Sequence, residues 1–356
     1  MTQAVALAQQ ASTGVSQGFK NRIINGAMTI SQRNGTSSVN NSNNTYTLDR
    51  WVMITDLDNK FSVQQDAGGV TPPAGFIDYL GVTSTAATSV GSSGFYIISQ
   101  KIEGFNTADL NWGSANAKTV TLSFWVRSSL TGTFGGSFRN SDNTRSYPFS
   151  YTISAANTWE YKTVTVAGDT TGTWLTNNGI GISILFGLGV GTTFSSTAGA
   201  WAAGNFGSST GATSVVGTNG ATFYITGVQL EVGSTATSFD YRPYGTELML
   251  CQRYFYKLGG TGSITKLGEA HYEDSTAVRG CIPFPVTMRA IPTGLASGNS
   301  RFYTTAARTY NTVVEADSNQ MGYWGGTTTT SGTGGNAGFV DTSGFTSSYI
   351  QFSAEL

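Results

Sequence analysis

The sequence predicts an all-β protein built as two successive units, each a sandwich or barrel. Three observations carry this expectation. Short segments with period-two alternation recur at roughly ten-residue spacing, with Gly, Asn, Ser and Pro turn signals between them. Charged residues are 11% of the 356, against about 25% in an ordinary soluble domain. Glycine supplies 46 residues, with Ser, Thr and Asn abundant beside it, a composition that wets a loop-rich surface without charge. No repeat of fixed period is visible, which disfavours a propeller or a β-helix.

Residues 1–18 show a weak helical pattern (Val5, Ala8, Ser12, Val15) too short to stand alone. They read either as a frayed terminus or as a peptide that orders on a partner or on its own copies. Residues 27–32 (AMTISQ) alternate like a strand, and 33–45 form a polar Asn-rich loop. Strands are expected at 48–54, more weakly at 61–65, and at 94–102, the last apolar on both faces. In 119–128 (TVTLSFWVRS), Val120, Leu122, Phe124 and Val126 face one way and Thr121, Ser123, Trp125 and Arg127 the other.

Residues 159–166 follow a turn at Ala156-Asn157. Residues 180–190 place Ile180, Ile182, Ile184, Phe186, Leu188 and Val190 at every second position. Their opposite face (Gly181, Ser183, Leu185, Gly187, Gly189) is small, so something is expected to pack closely on it. A long Gly/Ser/Thr/Ala insertion, 191–220, follows. In the strand 222–232, Tyr224, Thr226, Val228, Leu230 and Val232 are expected to share one face. A corner, FDYRPY, and one or two helical turns (247–251) capped by Thr246 lead to a strand at 253–257. Beyond it lie shorter strand-like units at 264–267, 277–285, 287–290, 302–305, 313–316, 322–324 and 349–353, with a low-complexity loop at 325–338.

Bulk charge and motif content exclude several functions. The net charge of −1 gives no attraction to nucleic acid or an anionic membrane surface. No apolar run reaches about 18 residues, so no membrane insertion is expected, and the first residues lack the pattern of a secretory signal. Cys251 and Cys281 are too few for a disulfide framework and read as buried free thiols, in keeping with synthesis in a reducing cytoplasm. The one histidine, His271, lies in HYED and reads as a surface residue; hydrolase, zinc and phosphate-loop motifs are absent. The chain is therefore read as a non-enzyme. Asp56 and Asp58 (TDLDNK) could hold a hard cation or simply form a polar turn.

What remains is aromatic: 7 Trp, 16 Tyr and 20 Phe. Most must be core. Trp125 shares a polar strand face, while Trp112, Trp174, Trp201, Tyr323 and Trp324 lie in or beside Gly/Asn/Ser loops. Exposed rings flanked by amides and hydroxyls bind sugars, the ring stacking on the apolar sugar face. These six are the glycan-binding candidates, with core or subunit contact as the alternative.

Two segments carry a family resemblance. FKNRIINGAMTISQRNGT followed by YTLDRWVM, and VQLEVGSTATSFDYRPYGTELMLCQRYF, resemble the opening and the exit of the main domain of phage tail fibre and structural proteins. They bracket residues 19–257, and GCIPFPVTMRAIPT resembles the segment that follows in those proteins. The resemblance implies a jelly-roll β-sandwich like carbohydrate-binding modules, then a smaller C-terminal β-sandwich, in a homotrimeric fibre. The implied division is a short N-terminal anchoring segment (1–18), the jelly roll (19–245) and a distal sandwich (246–356).

By the same resemblance, residues 1–18 would attach to a phage tail, baseplate or head protein, and the chain would sit on the virion surface and bind a host cell-surface glycan. The alternatives are a purely structural head-decoration or baseplate fibre and a glycan-degrading tailspike. The family supplies no catalytic residues. Some such modules hold a structural calcium, but no ligand set for it maps onto this chain. With no coiled-coil or collagen-like shaft in the sequence, a compact appendage is expected, its corner packing the two units together. Phe239, Tyr241, Tyr244, Tyr254 and Phe255 would then be core and interface.

Overall fold

The structure is a computed structural model that describes residues 19–260, 262–303, 307–328, 332–342, 345 and 347–356. The anchoring segment 1–18 lies outside the described residues. The first unit is two antiparallel sheets built from ten main strands. These are β1 (Trp51–Thr55), β2 (Phe61–Gln65), β3 (Leu80–Ser84), β4 (Phe95–Glu103), β5 (Val120–Ser128), β6 (Gly132–Arg139), β7 (Arg145–Ile153), β8 (Glu160–Val166), β9 (Ile180–Val190) and β10 (Thr222–Val232).

Sheet A runs β2-β3-β10-β5-β8, and sheet B runs β7-β6-β9-β4-β1, each extended by two-residue edge strands. Only β2–β3 and β6–β7 stay within one sheet; the other connections cross between sheets. This is the winding of a jelly roll, and the fold is all-β as expected.

One core fills the space between the sheets. Val120, Leu122, Phe124 and Val126 from β5 face Ile184, Phe186 and Leu188 from β9, all fully buried. The small outer face of β9 is covered by the chain's own insertion. A Cβ on Gly187 would lie 2.8 Å from Ser208 Oγ, and one on Gly189 2.7 Å from a Val216 methyl. Ser195–Ser196 and Ser208–Ser209 pair in parallel within that insertion.

Strand β10 departs from the expected face assignment. Its pairing with β5 slips between Thr226 and Gln229, and Gly227 there has a left-handed φ of 60°. The bulge inverts the alternation, so Phe223, Ile225, Val228 and Leu230 all enter the core. Residues 27–32 form no strand either. Asn25 and Met28 take positive φ, and the Asn25 side chain bonds the Ile30 amide and the Ile30 and Asp49 carbonyls in place of a sheet neighbour.

A single α-helix among the described residues, α1 (Tyr244–Gln252), is longer than expected; Pro243, not Thr246, precedes it, and no side chain caps it. No described helix is long and apolar enough to cross a membrane. The second unit comprises β11 (Phe255–Gly259), β12 (Lys266–Tyr272), β13 (Ala277–Pro283), β14 (Thr293–Ser297), β15 (Asn299–Tyr303), β16 (Ala307–Asn311), β17 (Val313–Glu315), β18 (Met321–Thr327), β19 (Ala337–Asp341) and β20 (Tyr349–Ser353). They form a three-stranded sheet, β11-β20-β14, and a seven-stranded one, β16-β15-β19-β12-β13-β18-β17, around a smaller core that includes Met288, Phe302, Trp324 and Phe352. Residues 287–290 are not a strand, whereas 293–297, 307–311 and 337–341 are.

Between the two cores lies a seam cluster of Ile24, Ile30, Cys251 and Tyr254, with Leu248, Leu250 and Leu356 against it. Lys257 Nζ donates to Arg33 O at 2.8 Å, and Arg289 Nη1 to Asn178 O at 2.8 Å, so the units touch on several elements.

Candidate functional site

Three of the tryptophan candidates come together. Trp112, in the turn after β4, meets Trp174 at 4.8 Å and Trp201 at 5.3 Å between ring centroids, and Trp174 and Trp201 are 5.3 Å apart, all near perpendicular. Tyr147 adds a fourth ring against Trp201. Each indole N–H is already used: Trp112 on Lys118 O, Trp174 on Thr171 O, Trp201 on Ala167 O. Edges of one ring cover faces of the next, and Trp112 is 8% exposed within the main core. Trp112 is therefore packing, not a sugar platform. Trp174 and Trp201 are half-buried at the core margin; Asp169, ion-paired to Arg145, accepts from Thr171, whose carbonyl takes the Trp174 N–H.

Trp324 is corrected likewise. It is fully buried, its ring stacked on Tyr310 at 6.1 Å. Along β18 only one of the adjacent Tyr323 and Trp324 can face solvent. Tyr323 does, lining an open groove of about 660 Å³ with Glu269, His271, Arg279 and Cys281. Its hydroxyl donates to Glu315, whose carboxylate holds the phenol above its usual range. Cys281 is exposed there, against the expectation of a buried thiol, while Cys251 is buried and its thiol pushed well up by desolvation.

Trp125 behaves differently. On the outer face of sheet A it stands directly opposite Tyr161 of β8, with the ring centroids 5.4 Å apart. Trp125 is half-buried and Tyr161 is 43% exposed. The pair continues a row of rings on the same face. Arg127 lies 5.5 Å over Tyr224, and Tyr79 joins Tyr224 to Trp159 at 5.1 and 5.6 Å. Exposed Thr163 and Thr165 place hydroxyls along β8 beside Tyr161. Tyr161 is a residue that sequence reasoning passed over, although the alternation of EYKTVTV puts Tyr161, Thr163 and Thr165 on one face.

The remaining expectations divide. Asp56 and Asp58 are solvent-exposed in the turn after β1, and among the described residues no group of three or more His, Cys, Asp or Glu is placed to hold a metal ion. Tyr254 and Phe255 are buried at the seam, but Tyr241 and Tyr244 are exposed. They border a cavity instead of sealing the interface. The reason is local. The bulge at Gly227 seats Phe76 where a Cβ would stand 2.6 Å from its ring, and Phe76 in turn carries Phe239 and Tyr241 outward.

No protein-family model and no curated protein sequence matches the chain. Among solved structures, it is similar to the enzymatically active domain of bacteriophage CBA120 tailspike protein 4, with TM-score 0.34 and 12% identity over 60% of this chain and 22% of that one. It is also similar to a putative sugar-binding protein from Bacteroides thetaiotaomicron, with TM-score 0.35 and 11% identity over 60% of this chain and all of that one. A third likeness is to TmCBM61 in complex with β-1,4-galactotriose, with TM-score 0.30 and 11% identity over 60% of this chain and 99% of that one. The chain thus aligns with about a fifth of the tailspike chain's length. All three scores lie below 0.5, so the description of the fold rests on the strand order and core.

Proposed function

We propose that the chain is a glycan-binding fibre protein of a phage particle, a non-enzymatic homotrimer attached through residues 1–18 and meeting a host-surface glycan with its β-sandwich units, 19–245 and 246–356. The observation that carries the binding reading is the Trp125–Tyr161 pair. Two rings 5.4 Å apart on an open sheet face, with exposed threonine hydroxyls beside them, match the apolar faces and hydroxyls of successive sugar rings. The motifs at 19–53 and 228–255 support the particle role. The low charge predicts weak single-site affinity raised by three sites per fibre, and binding that barely changes with salt.

The test is affinity electrophoresis of the full chain against host surface polysaccharides, with Trp125→Ala beside it. Retardation that is lost in the variant and stable between low and high salt supports the reading; steep salt dependence, or an unaffected variant, overturns it. Deleting residues 1–18 should leave cell binding intact and abolish incorporation into particles.

A second reading, a purely structural fibre, draws on exposed Leu295, Val313 and Met321. Leu295 and Val313 lie on the edge strands β14 and β17, which lie against each other, a Cβ on Gly294 standing 2.7 Å from Val314 O, so the contact with other chains would be made by these exposed side chains. Under it, truncation would abolish incorporation while no polysaccharide retards the full chain.

A further inference from the structure

From the cavity at the corner we infer a second sugar site, distinct from the Trp125 face and shaped for one neutral hexose bearing a methyl substituent, as in 6-deoxy or N-acetylated sugars. The inference rests on the glycan-binding reading above. The cavity measures about 240 Å³, smaller than the roughly 300–1,000 Å³ of pockets that take drug-sized ligands. It therefore holds a single ring or chain end, whereas the open Trp125 face suits a chain interior.

Its wall is aromatic. Phe76, Phe239 and Tyr241 are in mutual contact at 5.1, 5.6 and 4.9 Å, with Tyr241 58% exposed. Its other edge is polar. Asp240 accepts the amides of Lys20 (2.9 Å) and Asn21 (3.1 Å) through Oδ2 alone; among the described residues Oδ1 takes no hydrogen bond. Arg242, whose side chain is 4% exposed, bonds Glu247, Ile23 O and Asn21 O, yet its Nε is buried without a described partner.

The chemistry of the ligand follows. A wholly apolar guest would bury the open Asp240 oxygen unmatched, at a cost in desolvation. A sugar offers C–H faces to the rings and hydroxyls to the polar edge. The predominance of rings favours a methyl over a further hydroxyl. Asp240 and Glu247 outnumber Arg242, so an anionic sugar is disfavoured.

The test is saturation-transfer NMR on the full chain with L-rhamnose, N-acetyl-D-glucosamine and D-glucuronate. Transfer is expected to the methyl protons of the first two and not to glucuronate. Tyr241→Ala should weaken binding about tenfold, the scale of one lost stacking contact, and Tyr241→Phe should retain it. Unaltered melting of each variant checks the fold. No transfer to either methyl sugar, or transfer removed by Trp125→Ala and spared by Tyr241→Ala, overturns the inference. Retained polysaccharide binding at the Trp125 face would confine that failure to the corner site; its loss as well would bring down the glycan-binding reading.

Discussion

Arg33 Nη2 lies 2.9 Å from Glu355 Oε1, a pair that joins the opening segment of the first unit to the last residues described in the second. Arg50 reaches the same carboxylate, and its guanidinium lies 3.6 Å over the Tyr254 ring. Arg253 holds Glu103 at 2.6 and 2.9 Å, with Tyr254 donating to that carboxylate at 2.7 Å. Most of these groups are buried. Removing Glu355 would leave Arg50, with a side chain 1% exposed, without its counter-charge. Glu355→Ala should therefore cost about 3–5 kcal/mol, read in urea unfolding. A loss below 1 kcal/mol would show that the seam does not depend on this carboxylate.

The same network predicts a pH dependence. Asp49 is fully buried; desolvation raises its carboxyl from 3.8 to about 6, although Arg33 at 3.7 Å and the Gln32 donors pull the other way. Above the folded value the native state holds a buried carboxylate that the unfolded chain keeps in water. Below the unfolded value both are neutral. The native state thus binds the extra proton between pH 3.8 and about 6. This group's contribution falls as pH rises through that window and stays low above it. A rise of that size corresponds to about 3 kcal/mol. The stability of Asp49→Asn relative to the parent should rise by that order from pH 4 to pH 7. A flat or falling difference would contradict the assignment.

The covering of sheet B by the insertion gives a third expectation. A Cβ at Gly135 would stand 2.3 Å from Ser208 Oγ and 2.8 Å from the Ser209 backbone nitrogen. Backbone cannot yield as a long side chain does, so Gly135→Ala should unseat 195–210 at about 1–3 kcal/mol. Faster proteolysis within 191–220, with the rest of the chain intact, is the expected sign; unchanged cleavage would mean that the contact relaxes at little cost.

These contacts show what the residue pattern could and could not convey. The alternation of β5 and β9 was legible because every second side chain enters one core. The inversion in β10 was not, because a single left-handed glycine exchanges the faces and no periodicity marks it in advance. Strands 307–311 and 337–341 were missed for another reason. Their sequences, ARTYN and AGFVD, are too short to show an alternation; each places one side chain, Tyr310 or Val340, in the second core, and pairing with neighbouring strands defines the rest. Trp125 was found from its polar strand face, but Tyr161 became relevant only once register placed it opposite. The corner cavity depends on Phe76 meeting Tyr241, a proximity that local patterning cannot encode.

Trp112 and Trp125 separate packing from binding. Trp112 touches Phe138, Trp174 and Trp201, and its N–H is satisfied by Lys118 O, so truncation opens a cavity and orphans an acceptor. Trp112→Ala should cost about 3–5 kcal/mol in stability yet leave the affinity of the remaining folded protein unchanged. Among the described residues Trp125 has one ring partner, Tyr161, and it is half-buried. Trp125→Ala should lower stability far less and remove polysaccharide binding. Melting curves and affinity electrophoresis on the two variants decide the matter. Equal loss of binding in both, after correction for the folded fraction, would move the site from the sheet face to the tryptophan cluster; equal loss of stability would make Trp125 a core residue.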